Sequence, residues 1–165
     1  MAKRTPAPTA PSTGFWLLKS EPDSYSIDQF AKDKKTLWTG VRNYLARNFM
    51  MVSMKPGDQV LFYHSNSDPS AVVGLAEVVR PNQPDPTALD KTSDYFDAKA
   101  AKDHPIWFCA ELKFVKKFAT PLSLETLKAD PKLVGMSLLQ KGQRLSVMQV
   151  AKKDFEHVVK LASKS

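Results

Sequence analysis

The chain has 165 residues, of which 42% are hydrophobic and 25% are charged, so its composition suits one domain with a buried core and excludes wholesale disorder. No apolar run approaches the ~20 residues of a membrane span, and none follows Lys3 and Arg4 to form a signal peptide. The single cysteine, Cys109, excludes an internal disulfide framework and a multi-cysteine zinc site. These features predict an intracellular protein with no membrane partner.

The charge of the chain is unevenly distributed. Lysine and arginine number 24 against 17 aspartates and glutamates, which gives a formal net charge of +7. Residues 15–110 carry 11 basic and 12 acidic side chains, whereas residues 111–165 carry 11 basic and 5 acidic ones, a net of +6. A basic final third suits a polyanion such as nucleic acid, although a lysine-rich surface can also serve solubility alone.

The first elements are short. Residues 1–13 are rich in proline, alanine and threonine, and they predict a disordered tail before a single domain over 14–165. The apolar run Phe15–Leu18 predicts the first strand. Ser26 and Gln29 form a Ser-x-x-Gln capping box, which predicts the start of a short helix.

A second helix is predicted over residues 42–51, with Leu45, Phe49 and Met50 facing inward. The tetrapeptide Lys55–Asp58 contains Pro-Gly at its centre and predicts a turn.

The middle of the chain is rich in strand signals. Three runs of β-branched and aromatic residues predict strands over Gln59–Ser65, Ala71–Val79 and Ile106–Phe118. Between the last two lies Pro81–Pro105, a 25-residue connection whose length and composition indicate a functional loop.

The final third returns to helical patterns. Helices are predicted over Ser123–Lys128, Met136–Lys141 and Lys153–Ala162, with a short strand at Leu145–Val150. Short helices and strands at irregular spacing favour an α+β fold, a small β-barrel flanked by short helices, over a parallel βαβ sheet.

The common catalytic and cofactor motifs are absent from the sequence. The three histidines, His64, His104 and His157, lack metal-ligand spacing, so neither a metal nor a cofactor is predicted. Cys109 lies within a predicted strand, so we expect its thiol to be buried and inert. Glu21 and Asp23 are carboxylates that suit acid–base chemistry, but in isolation they indicate a solvated loop.

Four segments place polar side chains beside an aromatic or apolar residue: Lys19–Pro22, Trp38–Asn43, Phe62–Asn66 and Arg144–Val147. Recognition of a base outside the stack needs an aromatic face and hydrogen-bonding groups for the base edge. Two aromatic residues, Trp38 and Tyr63, are candidates for stacking, and the candidates for the edge are Ser20, Glu21, Asn43, Ser65 and Ser146. The alternative interpretation is that these segments supply core aromatics, helix caps and turns.

Five ordered blocks of the sequence closely resemble the EVE domain family: FWLLKSEPDSYSI, WTGVRNYLARNFM, MKPGDQVLFYHSN, VVGLAEVVR and RLSV. The resemblance runs from Phe15 to Leu161. Two positions depart from the family pattern, which often has glutamine at the place of Leu45 and proline at that of Gln149. The first of these affects the helix beside the pocket and so concerns fine specificity more than the fold.

The resemblance implies a PUA-like fold, related to the YTH and ASCH domains, and a nucleic-acid-binding module that reads modified bases, notably oxidised methylcytosines in DNA. By motif position, it implies a pocket formed by Lys19, Ser20, Glu21, Trp38, Val41, Arg42, Asn43, Tyr63, His64, Ser65, Arg144 and Ser146.

Three hypotheses therefore compete. The first is a non-catalytic, monomeric reader that takes a flipped modified base from DNA, or from RNA, while basic groups hold the phosphates. The second is an enzyme acting on a modified base or nucleotide, with Glu21 as general acid or base. The third is a module that uses the same pocket for a peptide. The expected location is the cytoplasm in a bacterium and the nucleus in a eukaryote.

Overall fold

The computed structural model describes residues 13–163, whose strands form one six-stranded sheet with helices on both faces. The strands are β1 (Phe15–Ser20), β2 (Lys35–Leu37), β3 (Gln59–His64), β4 (Ala71–Pro84), β5 (Phe108–Ser123) and β6 (Val147–Gln149). The α-helices are α1 (Ile27–Asp33), α2 (Tyr44–Asn48), α3 (Leu124–Ala129) and α4 (Lys152–Ser163). A π-helical turn spans Phe49–Ser53, and 3-10 turns span Pro86–Leu89, Pro131–Leu133 and Ser137–Leu139.

The sheet has the strand order β2-β5-β4-β3-β1-β6. The pairing of β1 with β3 is parallel, and the other four pairings are antiparallel. The predicted α+β class is confirmed, but the predicted barrel is wrong, because β2 and β6 stand at opposite ends of an open sheet. The end strands β2 and β6 have three residues each, which keeps the free edges of the open sheet short.

Two hydrophobic clusters lie on the two faces of the sheet. The first contains Trp16, Leu18 and Phe62 together with residues of α1, α2 and the π-helical turn. The second contains Leu17 and Leu61 together with residues of α3 and α4. Neighbouring residues of β1 and β3 alternate between the clusters, as the two-residue period of a strand requires. Because of this alternation, two neighbouring residues of one strand cannot contact the same cluster.

Side-chain caps set the starts of the short helices. The Ser26 hydroxyl accepts a hydrogen bond from Gln29 N at 3.0 Å, which confirms the predicted start of α1. The Ser123 hydroxyl does the same for Thr126 N at 3.1 Å at the start of α3. Such caps satisfy backbone N–H groups that have no partner within the helix.

The predicted second helix lies two residues later than expected, over 44–53 instead of 42–51, and one of its inward-facing residues differs. It begins after Asn43 and passes into the π-helical turn. Phe49 and Met50 are buried as predicted, but the inward position of Leu45 is wrong, because Leu45 is 38% exposed and Ala46 is buried instead.

The long connection between the second and third predicted strands is partly strand. β4 continues to Pro84 and pairs with the start of β5, so Pro84 lies opposite Phe108.

Among the described residues, no helix is long and apolar enough to cross a lipid bilayer.

The predicted N-terminal tail lies outside the described residues except for its last residue. Thr13 is attached to the sheet, since its hydroxyl donates to the carbonyl of Val150 at 2.8 Å.

Candidate functional site

The carboxyl ends of β1 and β3 meet the start of β6 and bring three distant segments together. Ser20 lies opposite His64 in the parallel register, and Ser65 N donates to Ser20 O at 3.0 Å. Lys19 N donates to Ser146 O at 2.9 Å. Six of the predicted site residues therefore form one strand-end group: Lys19, Ser20, Glu21, His64, Ser65 and Ser146.

The two predicted stacking residues, Trp38 and Tyr63, do not share a face of the sheet. Trp38 belongs to the first cluster and makes an edge contact with Phe62, with 5.4 Å between ring centroids. Tyr63 follows Phe62 in β3 and therefore points into the second cluster. Only 7% of Trp38 and 4% of Tyr63 are exposed. The two rings belong to different clusters, because the period of the strand separates them.

Trp38 nevertheless lies near the strand-end group. Its ring makes an edge contact with Tyr25, at 6.3 Å between centroids. Tyr25 and Leu145 are partly buried and pack against the same cluster as Trp38. Tyr25 and Leu145 therefore stay partly exposed to solvent between Trp38 and the strand-end group.

Two polar side chains of the strand-end group already hold the start of α1 in place. The Ser20 hydroxyl donates to Tyr25 O at 2.7 Å. His64 Nε2 accepts a hydrogen bond from Ile27 N at 3.1 Å, so this nitrogen carries no proton. Burial lowers the pKa of His64, an effect that the negative charge of Asp28 opposes, and the neutral imidazole is favoured.

Glu21 is exposed and bound to a neighbouring amide. Its Oε2 accepts a hydrogen bond from Asn66 Nδ2 at 2.8 Å. Within the described part of the chain, no three His, Cys, Asp or Glu side chains are grouped closely enough to hold a metal ion.

Two cationic side chains, that of Lys19 within the strand-end group and that of Arg144 beside it, have no acidic partner among the described residues. Lys19 is half-buried, and burial lowers its pKa. Arg144 is exposed and lies two residues before Ser146. Across residues 13–163, neither side chain forms a hydrogen bond or an ion pair. An anionic or oxygen-rich ligand would therefore gain interactions that the folded chain does not already make.

Arg42, in contrast, uses all of its hydrogen-bond donors inside the protein. Its Nη1 donates to Asp85 Oδ2 at 3.1 Å and to Val41 O at 2.9 Å. Its Nη2 donates to Thr87 Oγ1 at 3.2 Å and to Tyr95 O at 2.6 Å, and its Nε also donates to Tyr95 O. Every N–H of the guanidinium is occupied, so Arg42 holds the 85–107 segment in place instead of presenting donors to a ligand.

The two neighbours of Arg42 also have structural roles. Val41 is 7% exposed and belongs to the first cluster. Asn43 Oδ1 accepts a hydrogen bond from Ala46 N at 3.0 Å and caps α2. The side chains of residues 41–43 are therefore engaged in contacts that hold the fold.

Asp85 is the organising residue that the sequence analysis missed. Its Oδ2 also accepts from Gly40 N at 2.8 Å, and its Oδ1 accepts from Thr87 N and Thr87 Oγ1. Burial alone would raise the pKa of Asp85, but the hydrogen bonds from Thr87, Gly40 and Arg42 outweigh it and hold the pKa below its ordinary value. The local sequence Asp-Pro-Thr signals the Thr87 contacts, whereas nothing local signals the contacts to Gly40 and Arg42.

A cavity of about 360 Å³ lies under the same segment, away from the strand-end group. Its walls are mostly apolar and include Pro84, Ala88, Leu89, Ile106 and Trp107. Cys109, nearby in β5, is buried, and burial raises the pKa of its thiol to about 12, as expected for an inert residue.

Comparison with known proteins decides the family. The model of the EVE domain matches residues 14–161. The chain belongs to the EVE domain family. Thymocyte nuclear protein 1 of Gallus gallus is 35% identical, and the match covers 88% of this chain and 67% of that protein.

Solved structures that are 32% and 47% identical to this chain show the same fold. A hypothetical protein from Leishmania major is 47% identical, with a TM-score of 0.86, over 91% of this chain and 94% of that one. The human THYN1 protein, solved in complex with 5-methylcytosine containing DNA, is 32% identical, with a TM-score of 0.83, over 92% of this chain and 98% of that one. The EVE resemblance seen in the sequence is therefore confirmed.

Proposed function

We propose that this chain is a non-catalytic nucleic-acid-binding module that reads a modified cytosine in DNA, and that residues 14–165 act as one functional unit. The observation that carries this proposal is the human relative, which shares the family and the fold and was solved with 5-methylcytosine containing DNA. The arrangement of side chains at the strand-end group supports the same conclusion.

The strand-end group offers the chemistry that a base edge requires. Ser65 and Ser146 supply hydroxyls, and Glu21 supplies a carboxylate at the exposed rim. Tyr25 and Leu145, which are partly exposed and pack against the cluster that contains Trp38, supply apolar surface at the inner side. A base that leaves the helical stack can lie between these groups with its edge toward the polar rim.

Lys19 favours a cytosine whose 5-substituent carries oxygen. Its ammonium is half-buried and unpaired in the described structure, and the free energy of desolvating it is recovered when an oxygen ligand binds. A methyl group offers no acceptor, whereas hydroxymethyl, formyl and carboxyl groups do. Lys19 leaves β1 on the same face as Leu17 and Tyr63, so we propose that it reaches the substituent across the end of the strand from the Trp38 face, and that Arg144 contacts a neighbouring phosphate.

The basic final third supports contact with the rest of the duplex. Residues 111–165 carry a net charge of +6, and Arg144 belongs to this part of the chain. Neutralisation of phosphates by lysine and arginine releases counterions and strengthens binding at low salt.

The test is a comparison of affinities among duplexes that are identical except at one cytosine. The full chain is titrated against duplexes carrying cytosine, 5-methylcytosine, 5-hydroxymethylcytosine or 5-carboxylcytosine, and against the matching RNA. We expect tighter binding to the modified duplexes, with the oxidised forms ahead of 5-methylcytosine. Equal affinity for all four DNA duplexes would contradict the proposal.

Two variants locate the binding site within the same assay. Lys19→Ala is expected to remove the preference for oxidised bases, and Arg144→Ala to weaken all four duplexes equally. Lys128→Ala, in the last turn of α3, removes the same charge outside the strand-end group and serves as the matched control. The bound oligonucleotides are expected to have unchanged mass, whereas loss of a base or group would support the enzyme hypothesis with Glu21 as acid or base.

A further inference from the structure

Tyr44 presents an aromatic ring that is fixed on one face and open on the other. It is the first residue of α2, and it is 59% exposed. Its ring stacks on Trp107, with 4.8 Å between centroids and 17° between planes. Trp107 is itself 7% exposed and held by a hydrogen bond from its Nε1 to Asp97 Oδ2 at 2.8 Å. The exposed ring therefore rests on a buried, anchored support.

Arg47 lies on the supported side of that ring. Its guanidinium carbon is 4.7 Å from the Tyr44 centroid and 5.9 Å from the Trp107 centroid. Groups in contact with opposite faces of one ring are separated by about twice a contact distance of about 3.5 Å, which exceeds the 5.9 Å between Arg47 and Trp107. Arg47 and Trp107 therefore leave the other face of Tyr44 uncovered.

The positive charge of Arg47 has only neutral partners. Its Nη1 donates to Ile106 O at 2.9 Å, and its Nε and Nη2 donate to Asn48 Oδ1. No carboxylate of the described chain pairs with it, and burial lowers its pKa. One N–H on Nη1 and one on Nη2 remain for another acceptor. The surface thus combines an open aromatic face with an uncompensated cation.

We propose that the open face of Tyr44 stacks a second DNA base, next to the base read at the strand-end group, while Arg47 contacts an adjacent phosphate. This inference rests on the proposed function for the identity of the ligand. A flat ring that is already immobilised loses little conformational freedom on stacking, and an adjacent guanidinium matches the charge of the sugar-phosphate backbone. The 38–44 segment connects the two sites, and Asp85 anchors it at Gly40 and Arg42.

The test uses three substitutions of one residue. Tyr44→Ala removes the ring, Tyr44→Leu keeps apolar bulk without an aromatic face, and Tyr44→Phe keeps the ring and removes the hydroxyl. Affinities are measured for the 5-methylcytosine duplex and for an unmodified single strand of the same sequence. Stacking on an aromatic side chain predicts a loss of about 5- to 150-fold for the alanine and leucine variants, and near wild-type affinity for the phenylalanine variant.

A fluorescent base makes the contact visible. With 2-aminopurine beside the modified cytosine, the wild type and Tyr44→Phe are expected to quench its emission, and Tyr44→Leu is not. Val134→Ala, at a side chain that is 80% exposed elsewhere on the surface, is the control and is expected to change neither readout. Melting temperatures of all variants are measured first, and Tyr44→Leu decides the question if Tyr44→Ala does not fold.

The outcomes separate this inference from the proposed function. A wild-type protein that binds none of the oligonucleotides overturns the proposed function, and with it the ligand assigned to Tyr44. A wild-type protein that binds DNA, together with a Tyr44→Leu variant that binds equally well, overturns the stacking role alone.

Discussion

The guanidinium of Arg42 lies 3.1 Å from the carboxylate of Asp85, whose side chain is wholly excluded from solvent, whereas that of Arg42 is 22% exposed. The two residues are 43 positions apart, so their contact ties the 38–44 segment to the 85–107 segment. Motif position assigned Arg42 to the base-binding pocket. In the structure, its guanidinium holds the 85–107 segment.

Removal of Asp85 is expected to destabilise the fold markedly. Asp85→Ala leaves the donors of Arg42, Gly40 and Thr87 without their acceptor, and breaking a buried ion pair costs about 3–5 kcal/mol. Urea denaturation should show this loss in the free energy of unfolding. Glu111→Ala, which breaks the more exposed pair with Arg80, is the control and is expected to cost less than about 1 kcal/mol. Equal losses in the two variants would contradict the role assigned to Asp85.

Gly40→Ala tests the same junction from the backbone. Gly40 has a φ of +85°, and a Cβ at this position would lie 2.7 Å from the Tyr95 ring. Alanine disfavours the left-handed region and would also push Tyr95 aside, so we expect a loss of about 1–3 kcal/mol of stability. Gly142→Ala is the control, because its φ of +79° imposes the same backbone strain without a neighbour within 4 Å. If Gly40→Ala is no less stable than Gly142→Ala, the Tyr95 side chain moves away from the added Cβ at no cost in stability.

The elements with strong local signals could be predicted from the sequence. β3 and the first part of β4 are continuous runs of apolar and β-branched residues, and Ser26 and Ser123 act on N–H groups only three residues away. The three-residue strand β2 is too short to show a pattern of alternating hydrophobicity, so the sequence did not predict it. Its conformation depends on its pairing with β5, which is a tertiary contact. The same is true of Ala46 replacing Leu45 on the buried face of α2.

The arrangement of the candidate site could not be predicted from the sequence, for a related reason. The position of a residue in a family motif identifies it as a candidate for binding, but it does not show which candidates face each other in the fold. Trp38 and Tyr63 lie on opposite faces because Tyr63 is adjacent to Phe62 in one strand. The contact between Arg42 and Asp85 spans the long loop, and no local pattern announces it.

His64 should make the stability of the protein depend on pH. Its pKa in the folded state is below the ordinary value of 6.5, so the unfolded chain binds more protons in the interval between the two values. Stability is therefore fully present above about pH 6.5 and is lost as the pH falls through the folded pKa, when Nε2 can no longer accept from Ile27 N. The ion pair of Asp28 and Lys117 faces the same imidazole, with opposing effects on its pKa.

The control for this pH dependence is His64→Gln, whose amide oxygen accepts a hydrogen bond but does not titrate in this range. The free energy of unfolding is measured from pH 5 to pH 8 for both proteins. The wild type is expected to lose more stability than the variant below pH 6.5. Parallel curves would show that His64 contributes nothing to the pH dependence.

Trp38 is expected to matter first for folding. It is 7% exposed and contacts Tyr25 and Phe62, so Trp38→Ala should cost about 3–5 kcal/mol of stability. Trp38→Phe retains most of the apolar contact and should cost less. Thermal melting distinguishes this from a purely binding role. A Trp38→Ala protein that melts like the wild type yet fails to bind DNA would mean that the ring serves the ligand alone.

The most direct test of the central claim, that the strand-end group reads the modified base, is to locate the bound DNA by NMR. Backbone amide signals of the full chain are followed during titration with a duplex carrying one 5-carboxylcytosine, and again with the unmodified duplex. The account predicts that the difference between the two titrations is concentrated at Lys19–Glu21, Ser65 and Ser146. A difference confined to α3 and α4, with the strand-end amides unmoved, would contradict it.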